Sequence, residues 1–71
     1  MRNELSPKEI KILDLIKLGC TDKDIALQLG VTRQTIKHHL QYIFAKLGAE
    51  NRTVAVVKAL MQGYLTFEGV E

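Results

Sequence analysis

The stretch DKDIALQLGVTRQTIKHHLQ, residues 22–41, contains two short helical patterns that meet at a glycine. Ala26 is small where the first helix has to approach the second closely. Gly30 can take the left-handed backbone conformation that ends a helix. Ile36 is apolar at the position that pins the second helix onto the first. These spacings predict a helix-turn-helix, with basic and amide side chains on the outer face of its second helix.

Start and stop signals on either side extend this to an all-α, four-helix domain covering residues 1–71, with helices over about 7–18, 22–29, 33–47 and 52–62. Ser6, Pro7 and Glu9 form a capping-box start, and Gly19 stops the first helix. Thr21 caps the second helix, and Asp22 and Asp24 in its first turn suit the positive end of its dipole. Thr32 caps the third, which stops at Gly48, and Asn51 caps the fourth, which ends at Gly63. The expected core comprises Ile10, Ile12, Leu13, Leu15 and Ile16, then Ile25, Ala26 and Leu29, then Ile36, Leu40, Ile43, Phe44 and Leu47. In the fourth helix Val54, Val57, Leu60 and Met61 make one stripe, with Val56 and Ala59 off it. The tail from Tyr64 to Glu71 reads as a short extension with frayed ends.

A chain of 71 residues buries only about 60% of the surface its unfolded form exposes, which leaves little room for an enclosed pocket. One cysteine, Cys20, excludes an intramolecular disulfide and suits a reducing compartment; its position makes it a small helix-junction residue. No apolar run is long enough to span a membrane and no signal peptide opens the chain, so the expected location is the cytoplasm. His38 and His39 are adjacent rather than a turn apart, Cys20 stands alone, and no nucleophile lies in pattern with a base. We therefore expect no metal, no cofactor, no small-molecule ligand and no catalytic residue.

The formal charge is only +2, but no acidic residue lies between Ile25 and Ala49, a block that holds Arg33, Lys37, His38, His39 and Lys46. Such a local positive field suits a polyanion; the alternative is an ordinary solvated helix face. After a helix-turn, the third helix is the one to read a base edge. Gln34, Lys37, His38 and Gln41 avoid its core stripe, and lysine and glutamine can pair with guanine and adenine edges. His39 falls toward the core side and reads as structural. Candidates for backbone phosphates are Thr21, Lys23, Thr32, Arg33, Thr35 and Lys46, close to helix N-termini that themselves attract anions. For Thr21 and Thr32, capping alone is a sufficient explanation.

Leu5-Ser6-Pro7-Lys8-Glu9, Gly19, Lys23-Asp24-Ile25-Ala26, Thr35 to Leu40, Lys46-Leu47-Gly48, Asn51-Arg52 and Ala55-Val56 stand in one order and spacing. In these the chain resembles the LuxR/GerE-type helix-turn-helix of bacterial transcription regulators, from Leu5 to about Tyr64. The resemblance implies double-stranded promoter DNA as partner, with Lys37, His38 and Gln41 facing the groove and Thr35 and Lys46 near the backbone. It also implies a weak homodimer through the fourth helix, on half-sites about 34 Å apart. Val54, Val57, Lys58 and Met61 are the candidates for that contact, although Val54, Val57 and Met61 are also expected to cover the core. RNA polymerase is a further possible partner. The chain departs from the family pattern at Lys11, where a second acid is common, and at Ile10, where a base is usual. Ion pairs through those positions, one to Arg52 among them, are not carried over. The alternative function is a module that keeps the fold but binds another regulator or the polymerase. Met1 lies close to the first helix; both a free-standing regulator and the C-terminal domain of a larger response regulator or quorum sensor fit.

Overall fold

Each helix begins on a side chain supplied by its own sequence. In the computed structural model, which describes residues 4–68, α1 spans Pro7–Lys17, α2 Asp22–Leu29, α3 Arg33–Leu47 and α4 Arg52–Met61. Ser6 Oγ accepts from the Glu9 N–H at 3.2 Å, and Glu9 Oε1 accepts from the Ser6 N–H at 2.7 Å. Thr21 and Asp24 make the same reciprocal box at 3.1 and 3.0 Å. Thr32 accepts from the Thr35 N–H at 3.2 Å and Asn51 from the Val54 N–H at 2.9 Å. Each cap satisfies a donor that would otherwise be orphaned at a helix start. At the other ends, α1 stops at Lys17 with Leu18 as its cap, and α4 at Met61 with Gln62 as its cap. Both helices are one residue shorter than the sequence suggests. No strand occurs among the described residues.

The α2–α3 turn is made by Gly30, at φ 69° and ψ 33°, whose N–H and that of Val31 converge on the Ala26 carbonyl. A Cβ at Gly30 would meet no atom within 4 Å, so the glycine is required by the backbone conformation alone. Ala26 and Ile36 are buried across the junction, and around them lie Ile12, Leu13, Ile25 and Ile43, which are fully buried.

The inward face of α4 differs from the expected stripe. Ala55 and Ala59 are 0% exposed, whereas Val57 is 48% and Met61 81% exposed; Val54, Val56 and Leu60 are half-buried. The large side chains of α1 and α3 already fill the interior, and α4 packs against both helices. The face it turns to them is therefore lined by methyl groups, which permit close approach. Val57 and Met61 do not cover the core.

Ion pairs and carbonyl contacts tie the helices together. Lys46 Nζ of α3 sits 2.7 Å from Glu9 Oε1 of α1. Arg52 at the start of α4 finds Asp22 at 2.9 Å, at the start of α2, so its partner is one that the family pattern did not indicate. Lys58 Nζ donates to the Gly48 carbonyl at 2.7 Å and closes the end of α3. The start of the tail joins the core, whereas Thr66, Phe67 and Glu68 are exposed. Leu65 is buried, Tyr64 half-buried, and Lys17, paired with Asp14 at 2.8 Å, donates to the Thr66 carbonyl at 3.0 Å. The expected fraying of the last three residues and the reach from Met1 to α1 concern positions outside the described residues.

Candidate nucleic-acid interface

The core stripe of α3, Ile36, Leu40, Ile43 and Leu47, fixes which residues face away from the domain. Gln34, Lys37, His38 and Gln41 are all exposed, along with Arg33. Gln34 and His38, one turn apart, are hydrogen-bonded between the amide nitrogen and ring Nε2 at 3.3 Å. Among the described residues Lys37 and Gln41 spend no side-chain donor on the protein, which leaves them available to a ligand. His39 is half-buried beside the stripe. Tyr42, one turn beyond His38 and 67% exposed, extends the same row. The sequence reading passed over it, although its offset from the apolar stripe was signal enough to find it.

The phosphate candidates fall into separate groups. Thr21, Lys23 and Arg33 line one open depression of about 580 Å³, together with Ile16, Gly19, Cys20, Asp22 and Arg52. It lies at the N-terminal end of α2, where free backbone N–H groups and the helix dipole favour an anion. Arg52 was not among the phosphate candidates named from sequence; only the fold carries it there. The hydroxyls of Thr32 and Thr35 sit 3.0 Å apart at the start of α3. Lys46 lies apart from both groups, half-buried against Glu9 with one of its three donors committed.

Glu9 is buried, which alone would raise its pKa. Hydrogen bonds from Lys46 and Ser6 and the Lys46 charge outweigh that and hold the carboxyl below its usual range. Asp24 is likewise lowered, chiefly by the Thr21 backbone and hydroxyl. Both acids are thus charged and occupied structurally rather than poised for proton transfer. Cys20 is a half-buried free thiol 3.9 Å from the Gln28 amide. Among the described residues no group of three or more His, Cys, Asp or Glu could hold a metal ion. None of their helices is long and apolar enough to cross a membrane.

On α4 the four candidates for a second copy are arranged unequally. Val57 and Met61, one turn apart, form an exposed apolar ridge. Val54 is half-buried at the edge of that ridge, and Lys58, also half-buried, is held at Gly48.

A helix-turn-helix with a polar, acid-free outer helix and a four-helix frame defines a class of DNA-binding regulator domain. The family described as bacterial regulatory proteins, luxR family (GerE) matches residues 3–59, and the chain belongs to it. It is 45% identical over 69 residues to the transcriptional regulatory protein YdfI of Bacillus subtilis, covering 94% of this chain and 32% of that protein. It is 44% identical over 61 residues to the HTH-type transcriptional regulator AlkS of Ectopseudomonas oleovorans, covering 86% of this chain and 7% of AlkS. The chain therefore spans less than a third of the length of these relatives. Among solved structures it is similar to the transcription factor GerE, with a TM-score of 0.85 at 30% identity over 90% of this chain and 96% of that one. It is also similar to the response regulator ChrA of a heme-sensing two-component system, with a TM-score of 0.87 at 37% identity, over 92% of this chain and 32% of ChrA. The chain is a transcription-regulator helix-turn-helix domain of the LuxR/GerE type.

Proposed function

We propose that this domain binds double-stranded promoter DNA in a sequence-specific way in the bacterial cytoplasm, laying α3 in the major groove. Lys37, His38, Gln41 and Gln34 meet base edges, with Tyr42 at the border of the contact. Thr21, Lys23, Thr32, Arg33, Thr35 and Lys46 hold the flanking phosphates, with Arg52 completing the depression at the start of α2. The observation that carries this reading is the outer row of α3. Opposite a complete apolar stripe stand exposed amide, imidazole and ammonium groups, in a block of sequence without a single acid. Phosphate contacts supply most of the affinity and its salt dependence. Base contacts supply discrimination, about 1–3 kcal/mol for each good bidentate pair.

The DNA-bound form is a two-fold dimer through the Val57–Met61 ridge, with Val54 and Lys58 at its edges. A ridge this small holds two copies together weakly, so paired half-sites on DNA do most of the assembling. Titration of promoter DNA at several salt concentrations tests the whole reading. Lys37→Ala and Gln41→Ala should lower affinity and relax the preferred sequence. If both leave affinity and preference unchanged, α3 is not the reading helix. Undetectable DNA binding at low salt, with a stable complex with another regulator or the polymerase, would replace this reading by a protein-interaction module.

A further inference from the structure

The depression at the start of α2 gathers cations and yet contains an anion of its own. Lys23, Arg33 and Arg52 bring three positive charges to it, and Thr21 adds a hydroxyl. Among the described residues that line it, Asp22 is the one acid. Asp22 is the first residue of α2, where the helix dipole favours negative charge. Its Oδ1 lies 2.9 Å from a guanidinium nitrogen of Arg52. The Asp22 side chain is 15% exposed against 43% for Arg52, so the carboxylate is largely covered while the guanidinium keeps an open side. A phosphate that reaches this place meets an arginine whose charge is already balanced.

We propose that Asp22 is a counter-charge that restrains phosphate binding by Arg52, and so holds down the affinity of the domain for DNA of any sequence. The inference rests on the reading of this depression as a phosphate contact. Counterion release follows the positive charge brought to the DNA backbone, and a balanced pair brings little. Every sequence presents the same backbone, so the restraint acts on all duplexes alike and leaves the base-facing row of α3 untouched. A genome offers about 10⁶–10⁹ competing non-specific sites. Affinity gained equally on all of them adds no discrimination and draws the protein away from its operator. With Asp22 in place, occupancy depends more on the base contacts of α3.

Asp22→Asn keeps an oxygen for Arg52 and removes the charge, which makes it the test. Binding of the full 71-residue chain is titrated on a duplex selected from a random pool and on a scrambled duplex, at several salt concentrations. Asp22→Asn should steepen the slope of log K against log salt by about 0.9, one phosphate's worth, on both duplexes. With no gain at 1 M salt, that slope amounts to about eight-fold tighter binding at 0.1 M. Arg52→Ala should weaken binding by a similar factor, and the double variant should return close to the parent, because the pair then leaves as a neutral unit. Asp14→Asn makes the same charge change beside Lys17, in a depression that shares no lining residue with this one. Screening should keep its effect below about two-fold. Far-ultraviolet circular dichroism and urea unfolding verify that every variant is folded in the assay. Weaker binding by Asp22→Asn, with the double variant at the level of Arg52→Ala, would make Asp22 a support for Arg52 and overturn the inference. An unchanged affinity, a gain confined to the selected duplex, or an equal gain from Asp14→Asn overturns it as well. Absence of DNA binding by the unaltered chain at low salt overturns the recognition reading instead, and the two failures are thereby distinguished.

Discussion

Replacing Glu9 by glutamine isolates the ion pair that joins the first helix to the third. Glutamine keeps the length of the side chain and its acceptor for the Ser6 N–H, so the capping box at the start of α1 survives. What disappears is the charge 2.7 Å from Lys46 Nζ. A hydrogen bond between charged groups contributes about 1.5–3 kcal/mol when well shielded. Here the Lys46 side chain is 33% exposed against 8% for Glu9, so solvent screens the pair and the lysine left behind reaches water. The expected loss is therefore at or below the lower end of that range, about 1–1.5 kcal/mol. For a chain of 71 residues each kcal/mol moves the Tm by about 4–8 °C. In urea the midpoint should fall by roughly 1 M at an unchanged slope.

The pH dependence gives a second, independent reading of the same substitution. The folded-state pKa of Glu9 is lowered, so the unfolded chain takes up its proton first as the pH drops. The contribution of Glu9 is complete above its unfolded pKa of about 4.3 and is lost as the pH falls through the lower folded value. Glutamine has nothing to titrate. The stability gap between the two proteins should be widest near neutrality and close in acid. Equal stability near neutrality, or a gap that stays constant into acid, would refute the assignment of the Glu9–Lys46 pair as a stabilising contact.

Other substitutions test the remaining parts of the frame. Gly30→Ala should cost about 1–2 kcal/mol in urea unfolding, purely from forcing a Cβ into left-handed backbone, since no neighbour obstructs it. Ala59→Leu should destabilise by about 1–3 kcal/mol or more through overpacking, whereas Met61→Gln on the same helix should stay within about 0.5 kcal/mol of the parent in the same assay. Val57→Glu combined with Met61→Glu should leave the monomer folded while abolishing cooperative occupancy of paired half-sites, read by mobility shift on one-site and two-site DNA.

The helix starts and the α2–α3 turn were legible because their causes are local. A cap closes on a donor three residues away, as Ser6 does on Glu9, and Gly30 states its own backbone conformation. The inward side of α4 was not legible. Hydropathy favours Val57 and Met61 for an interior, but the space left over by Ile12, Leu13 and Ile43 selects Ala55 and Ala59, and that space exists only after the other helices have packed. The pairing of Arg52 with Asp22 and of Lys46 with Glu9 joins residues far apart in the chain. No spacing rule reveals such pairs. For the candidate interface, the polar row of α3 could be read from its offset to the apolar stripe. The gathering of Arg52 with Thr21, Lys23 and Arg33 around one depression could not.

The pairs that bind helix to helix, Glu9 to Lys46, Asp22 to Arg52 and Lys58 to the Gly48 carbonyl, use none of the side chains on the outer row of α3. Gln34, Lys37, His38, Gln41 and Tyr42 are thus exchangeable at little cost to folding. On the proposed reading of α3, a lineage of such domains can change its operator by drifting through this row one residue at a time, without first acquiring a stabilising substitution elsewhere. The same separation makes the row a natural library for engineering, in which every variant starts from an intact scaffold.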